Sequence, residues 1–427
     1  MDTLGLAVIA ALVLGYGLIS RRLSTTVVSA AMFFLAGGVL IGPSALDLVT
    51  LPGTSSTIEG LAELTLALVL FADASRIRLH VLRRQTTIPT RLLGIGLPLT
   101  IVAGTAAALV LLPELLLAEA VVLAIILAPT DAALGQAVVS DDRLPSRIRQ
   151  ALNVESGLND GICVPLLVIA LAWADTESGA LSAAESLRVA AEAIGYGVAA
   201  GALVGSVVAL LLRRAVRAGW SGGSWEQVVP FGAALASYGL ADWWGGSGFI
   251  AAFVGGAAFG ALFREHEAAG RFLEEAGGLT NAVTFIVVGA VILVPLLDAV
   301  DPAMVGYALI SLTAVRMVPV ALSLVSAHAR RPTVAFLGWF GPRGLASLVF
   351  VIIVLDSEGL PHSEIIGSTA LATIVLSVIT HGASAVPLVN RYADWYHTHE
   401  TKPAMESVHT PGPRWRSEPW NTDGESS

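Results

Sequence analysis

Residues 154–161 read Val154-Glu155-Ser156-Gly157-Leu158-Asn159-Asp160-Gly161. Two carboxylates, a hydroxyl and a carboxamide fall inside an apolar run long enough to cross a bilayer. An acidic side chain at the centre of a membrane helix costs roughly 2.5–3.5 kcal/mol on insertion scales, so one retained there has a partner or a task. At helical spacing Ser156 and Asp160 share a face, while Glu155 and Asn159 share a neighbouring face about 100° away. Thr130 and Asp131 add oxygens from the preceding apolar block, and Arg316 and Arg343 bring positive charge into two later ones. A buried Glu–Arg pair ties helices together, which suits Glu155 and leaves Asp160 as the free carboxylate. Asp160 with the Ser156 and Thr130 hydroxyls then makes a hard-oxygen nest of the kind a small monovalent metal cation prefers.

A carboxylate denied water titrates nearer neutral pH than a free one, because burial disfavours the charged form. One such site holds a proton or a metal cation, never both. If it faces the two sides of the membrane in turn, competition alone yields exchange. No ATP-driven machinery is legible: there is no Walker-type glycine loop ending in lysine, and the only lysine is Lys402. No resident cofactor and no nucleic-acid partner are expected.

The elements that must position these groups follow from composition. The 427 residues are 55% hydrophobic and 13% charged, whereas soluble domains carry about 25% charged residues. The single cysteine, Cys163, excludes an intrachain disulfide and a metal-binding cysteine pair. The first apolar block follows Asp2 without a basic n-region and is expected to be a retained span. Thirteen spans are predicted: 4–20, 25–42, 57–74, 90–112, 117–139, 149–173, 186–212, 226–242, 247–263, 272–296, 303–325, 332–354 and 364–390. Arginine sorts the connections. Arg21 and Arg22, Arg76, Arg78, Arg83 and Arg84, Arg143, Arg147 and Arg149, Arg213, Arg214 and Arg217, Arg264 and Arg271, Arg330 and Arg331, then Arg391 fall on one side. Connections 43–56, 113–116, 174–185, 243–246, 297–302 and 355–363 hold no lysine or arginine. The positive-inside rule therefore puts the N-terminus outside and the C-terminus in the cytoplasm of a cell-membrane protein.

An odd span count permits a symmetry. Spans 1–6 (repeat one, about 1–175) and 8–13 (repeat two, about 226–390) become copies of opposite orientation, with span 7 (186–212) as the linker helix. Inverted repeats with interrupted helices at matching positions mark secondary transporters. Span 5 carries Pro129-Thr130-Asp131 and Gly135, and span 12 carries Gly338 and Gly341-Pro342-Arg343-Gly344, so both should unwind there. Bare backbone at that depth survives only around a cavity. Residues 395–427 are polar and rich in proline and serine, predicting a disordered cytoplasmic tail after a transmembrane domain over 1–394. The pair His397 and His399 fits a solvated tail better than a metal site.

The strings ESGLNDG in span 6, PTDAALGQAV in span 5 and GPRGLASL in span 12 resemble those of the monovalent cation:proton antiporters, in the branch of prokaryotic sodium/proton antiporters and animal exchangers. The resemblance covers the whole membrane region. It implies an all-α polytopic fold with two discontinuous crossing helices, and alternating-access exchange serving pH and cation homeostasis. Asp160 would alternately bind cation and proton, with Asn159 beside it, Thr130 and Ser156 supplying oxygens and Asp131 at the helix crossing. Glu155 would pair with Arg316, and Arg343 would offset the partial charges of the half-helix ends. Asp73, in FADAS, matches a family acidic position or merely ends a helix. His381-Gly382 resembles a family element, and a lone intramembrane histidine is more often a hydrogen-bonding tie than a proton carrier. The family's Thr-Asp-Pro is altered: Ala132 follows Asp131 and the proline stands at Pro129. An Asn159–Asp160 pair goes with electroneutral one-for-one exchange, and a homodimer is expected. Sodium leads, with lithium, or a potassium-selective antiporter, as alternatives.

Two rivals come from other classes. Gly245-Gly246-Ser247-Gly248 matches the bare string of membrane serine proteases, but in a short connection where a glycine turn is expected. The string at His266 lacks the second histidine of a zinc protease. Nothing resembles the filter of a passive channel.

Overall fold

Continuous apolar stretches fold into helices because lipid leaves no other partner for backbone N–H and C=O groups. The computed structural model describes residues 3–23, 26–49, 55–76, 87–131, 134–263, 270–357 and 360–398. Ala132, Arg78, Arg83, Arg84, Arg264, His266, His399, Lys402 and the tail beyond 398 lie outside the described residues.

The chain is an all-α polytopic membrane protein. In order come α1 (Thr3–Leu23), α2 (Ala30–Ile41), α3 (Ser55–Arg76), α4 (Thr87–Arg91), a π-helical turn (Leu92–Gly96), α5 (Leu97–Leu111), α6 (Leu117–Ile126), α7 (Gln136–Val139) and α8 (Ser146–Glu177). There follow α9 (Ala183–Arg217), α10 (Ser224–Trp243), α11 (Gly248–Leu262), α12 (Arg271–Val291), α13 (Leu293–Asp298), α14 (Pro302–Leu312), α15 (Ala314–Ser323), α16 (Arg331–Trp339), α17 (Leu345–Asp356) and α18 (Ser363–Thr398). By length and apolarity, six helical stretches among the described residues suffice to cross a membrane: 3–23, 88–111, 146–177, 183–217, 302–323 and 363–398.

Span 5 breaks between α6 and α7, and span 12 breaks between α16 and α17. Three further irregularities were not foreseen. Span 4 enters through the π-helical turn, span 10 is interrupted at Ile292 between α12 and α13, and span 11 is divided at Thr313, whose φ of −110° and ψ of −89° leave the helical region. Helix α18 continues through Trp395–Thr398, where the tail was expected to begin.

The helices sort into two groups. One joins α2, α3, α9, α10, α11 and α12; the other joins α5, α6, α8 and α14–α18 around the broken segments. Helices α3, α9 and α11 of the first group meet α8 and α17 of the second along the boundary. Within the first group three joints are unusually close. A β-carbon at Gly38 of α2, or at Gly42 just after it, would strike the carbonyl groups of Ile286 or Ala290 on α12, one at Gly256 or Gly260 of α11 would strike those of Phe71 or Ser75 on α3, and one at Gly201 or Gly205 of α9 would strike those of Ala251 or Gly255 on α11. Between the first two joints the hydroxyls of Thr65 and Thr284 lie 3.1 Å apart.

Candidate ion-binding site

Span 6 is the continuous helix α8, and its polar rows reach the extended part of span 5. The Thr130 and Ser156 hydroxyls are 3.0 Å apart, and Asn159 Nδ2 donates to Thr130 Oγ1 at 2.8 Å. Asn159 thus turns to Thr130, whereas Glu155 on the same face turns to Arg316. The Thr130 hydroxyl sits where it touches both rows, so one α8 residue from each row meets on it. All three side chains are buried.

Asp160 is 8% exposed, and its Oδ1 has no hydrogen-bond partner among the described residues. It lines a cavity of about 290 Å³ together with Ser156, Asp73, Asp131, Asn153 and Asn281. Arg76 and Glu274 line the same cavity and retain 19% and 43% side-chain exposure. Thr130 is not among the lining residues and stands behind Ser156. Pro165, one turn beyond Gly161, brings no N–H to that residue's carbonyl, which leaves a backbone oxygen beside Asp160 without its helical donor.

The two broken spans cross antiparallel charge with helix end. The Asp131 N–H donates to the Pro342 carbonyl at 2.8 Å. Asp131 Oδ2 accepts from the Leu345 N–H at 3.1 Å, at the N-terminus of α17, and Oδ1 accepts from Leu134 N–H at 3.3 Å. Arg343 Nη1 donates to the carbonyls of Ala128 (2.8 Å) and Pro129 (3.1 Å), just past the C-terminus of α6. Each charge lies against the helix end whose partial charge it opposes. Gly344 admits the Asp131 carboxylate, since any β-carbon there would overlap it.

Behind the crossing, Arg316 Nη1 and Glu155 Oε1 are 2.6 Å apart, both side chains at most 4% exposed. His381 is held at both ring nitrogens: Nδ1 lies 3.0 Å from Ser377 Oγ and Nε2 lies 2.9 Å from the Trp339 carbonyl. Ser377 Oγ in turn accepts the Arg343 N–H at 2.7 Å. The ring is thus a tie between α18 and the end of α16. Ser247 is the N-cap of α11, its hydroxyl accepting the Ile250 N–H at 3.4 Å, which gives that serine a helix-starting use.

Sequence reasoning missed three groups, because each is set by how distant helices pack, which no spacing encodes. Arg76 Nη2 lies 2.6 Å from Glu274 Oε2 at the cavity mouth. Glu119, fully buried, accepts the N–H groups of Leu116 and His362 and lies 2.8 Å from His362 Nδ1, fastening α6 to the start of α18. Asn281 places a buried, unpartnered Oδ1 in the cavity wall. A second cavity of about 720 Å³ includes Arg21, Asp141 and Arg143 in its lining. There, outside the spans, hydrogen bonds from Arg143 hold the Asp141 carboxyl below the usual carboxylate range.

Comparison with known proteins matches residues 8–391 to the family described as sodium/hydrogen exchanger, transmembrane. The K(+)/H(+) antiporter NhaP of Alkalimonas amylolytica is 26% identical over 386 residues, 87% of this chain and 63% of its own length. An uncharacterized Na(+)/H(+) exchanger of Mycobacterium tuberculosis, Rv2287, is 37% identical over 121 residues, 28% of this chain and 22% of its own. The chain thus spans less than two thirds of the length of these curated relatives. Among solved structures, the sodium proton antiporter MjNhaP1 of Methanocaldococcus jannaschii at pH 8 superposes with a TM-score of 0.71 at 18% identity, covering 89% of this chain and 98% of that one.

Proposed function

Because the chain belongs to the sodium/hydrogen exchanger family, we propose that it exchanges a monovalent cation for a proton by alternating access, with Asp160 as the group that carries each in turn. The observation that bears the reading is the unpartnered Asp160 oxygen in a buried wall of an accessible cavity. A bare carboxylate at that depth needs a proton or a metal cation. Ser156 and water admitted to the cavity would supply further oxygens, Asn159 holds the Thr130 hydroxyl that meets Ser156, and Asp73 stands on the entry path.

The chemistry is a displacement. A cation entering the cavity replaces the Asp160 proton, the helix group that holds α8 and the broken spans moves against the group of α2, α3 and α9–α12, and on the far side a proton replaces the cation. With Asn159 rather than a second acid at the neighbouring position, one charge is carried either way, so the exchange is electroneutral and one for one. Sodium is the leading cargo, lithium is next, and the name of the Alkalimonas relative supports potassium as the second reading.

The organisation proposed is two inverted repeats, about 1–175 and 226–390, joined by the linker helix. Two of the three glycine joints support it. Spans 2 and 9 correspond under the repeat, as do spans 3 and 10, so α2 on α12 and α11 on α3 are one joint formed twice. The cavity mouth lies at the arginine-bearing helix ends, which the positive-inside rule assigns to the cytoplasm. The protein then sits in the cell membrane facing inward, with its N-terminus outside and a cytoplasmic tail, and works as a homodimer without a resident cofactor.

Everted vesicles carrying a quenched pH dye test the reading. Adding sodium, lithium or potassium should dequench the dye, and Asp160→Asn should abolish the response to every ion. Full activity in Asp160→Asn would refute the assignment.

A further inference from the structure

The cavity mouth holds three charged groups in an unequal arrangement. Arg76 closes α3, and Glu274 lies in the first turn of α12. The guanidinium is 2.6 Å from Glu274 through Nη2 and 3.7 Å from Asp73 Oδ1 through Nη1, the second distance beyond hydrogen-bond reach. All three side chains line the same cavity as Asp160. Two carboxylates against one guanidinium leave a single negative charge at the entrance.

Asp73 and Arg76 are three residues apart on one helix, a spacing at which a released guanidinium folds onto its own carboxylate. Arginine stays protonated throughout the physiological range, so such a contact would place a permanent cation where the transported one must pass. Glu274, on a different helix, takes the short contact and leaves Arg76 only a long ion pair of 3.7 Å with Asp73. We infer that Glu274 sets the affinity for the transported cation by keeping Arg76 from closing onto Asp73. It is a positioning residue, and the inference rests on the exchange reading above. A plainer use exists, since an arginine at a helix C-terminus and a glutamate at an N-terminus each oppose the local dipole. That use would change stability and leave KM alone.

The test is the cation dependence of dequenching in everted vesicles. Glu274→Gln should raise KM about fivefold, the scale of a well-placed charge pair, with the maximal rate little changed. Adding Arg76→Gln to that variant should return KM to the wild-type value, because nothing remains to misplace. Arg76→Gln alone should leave KM at or below wild type. A flat KM in Glu274→Gln, a raised KM that persists in the double variant, or a raised KM in Arg76→Gln alone each overturns the inference while wild-type exchange stands. Wild-type vesicles that respond to none of the three ions overturn the exchange reading and this inference with it.

Discussion

Asp131 and Arg343 cap each other's spans: the Asp131 carboxylate accepts the first N–H of α17, and the Arg343 guanidinium donates to the last carbonyls beyond α6. The two charges belong to different broken helices, and each completes the other's backbone. Removing one is therefore not equivalent to removing the other. Asp131→Asn keeps an acceptor for the Leu345 N–H and should lower stability by about 1 kcal/mol, as other helix caps do. Arg343→Ala leaves two buried carbonyls bare and should lower it by roughly 3 kcal/mol. Thermal unfolding of the detergent-solubilised variants, followed by fluorescence size exclusion, reads the order. Equal shifts would contradict it.

The Glu155–Arg316 pair predicts a different pattern. Glu155→Gln strands a buried guanidinium and should destabilise by roughly 3–5 kcal/mol, whereas Glu155→Leu with Arg316→Met should recover most of the loss. If the double variant unfolds at the temperature of the single one, the pair has a use beyond tying helices.

Asn159 acts through Thr130. Its amide fixes the Thr130 hydroxyl, which meets Ser156 at the cavity wall. Asn159→Ala should raise the cation KM about fivefold, one hydrogen bond's worth. Thr130→Ala should do the same, and the double variant no more than either alone. Additive effects in a double-mutant cycle would show independent roles.

Competition at one carboxylate fixes the pH dependence. As pH falls, protons occupy Asp160 and the cation must displace them, so KM should rise by up to about tenfold per pH unit while the saturated rate holds. At high pH the rate should fall instead, because the returning proton becomes scarce. Initial dequenching rates over a pH series measure both limbs. A KM independent of pH would show that proton and cation use separate sites.

One-for-one exchange also predicts indifference to an imposed membrane potential. Proteoliposomes clamped at opposite potentials should exchange at the same rate, and a rate that follows potential would require a second charge per cycle.

Much of this was legible along the chain because lipid makes exceptions conspicuous. Pro129 and Gly341-Pro342 announced the two breaks, since both lack what a membrane helix requires. Burial demanded a counter-charge for Glu155, and Arg316 lies 2.6 Å from it. What stayed hidden depends on packing. The irregular turn at Leu92–Gly96 and the division at Thr313 carry no proline at the break itself. Glu119, Glu274 and Asn281 look like ordinary polar residues until a distant helix is brought against them. Helical phase also could not say which neighbour Asn159 meets, because a hydroxyl lying between two faces can be reached from both.

The lone oxygen of Asp160 has one more consequence. An exchanger that returned empty would leak, and nothing in a competition between two ligands forbids an empty return. Here the empty form is an ionised carboxylate with no internal partner for Oδ1, so it must keep water until the cavity closes over it. Closing strips that water at an effective penalty of about 4 kcal/mol, which slows the unloaded transit roughly a thousandfold relative to the loaded ones. Tight coupling then needs no latch or gate. It follows from leaving one buried oxygen unsatisfied.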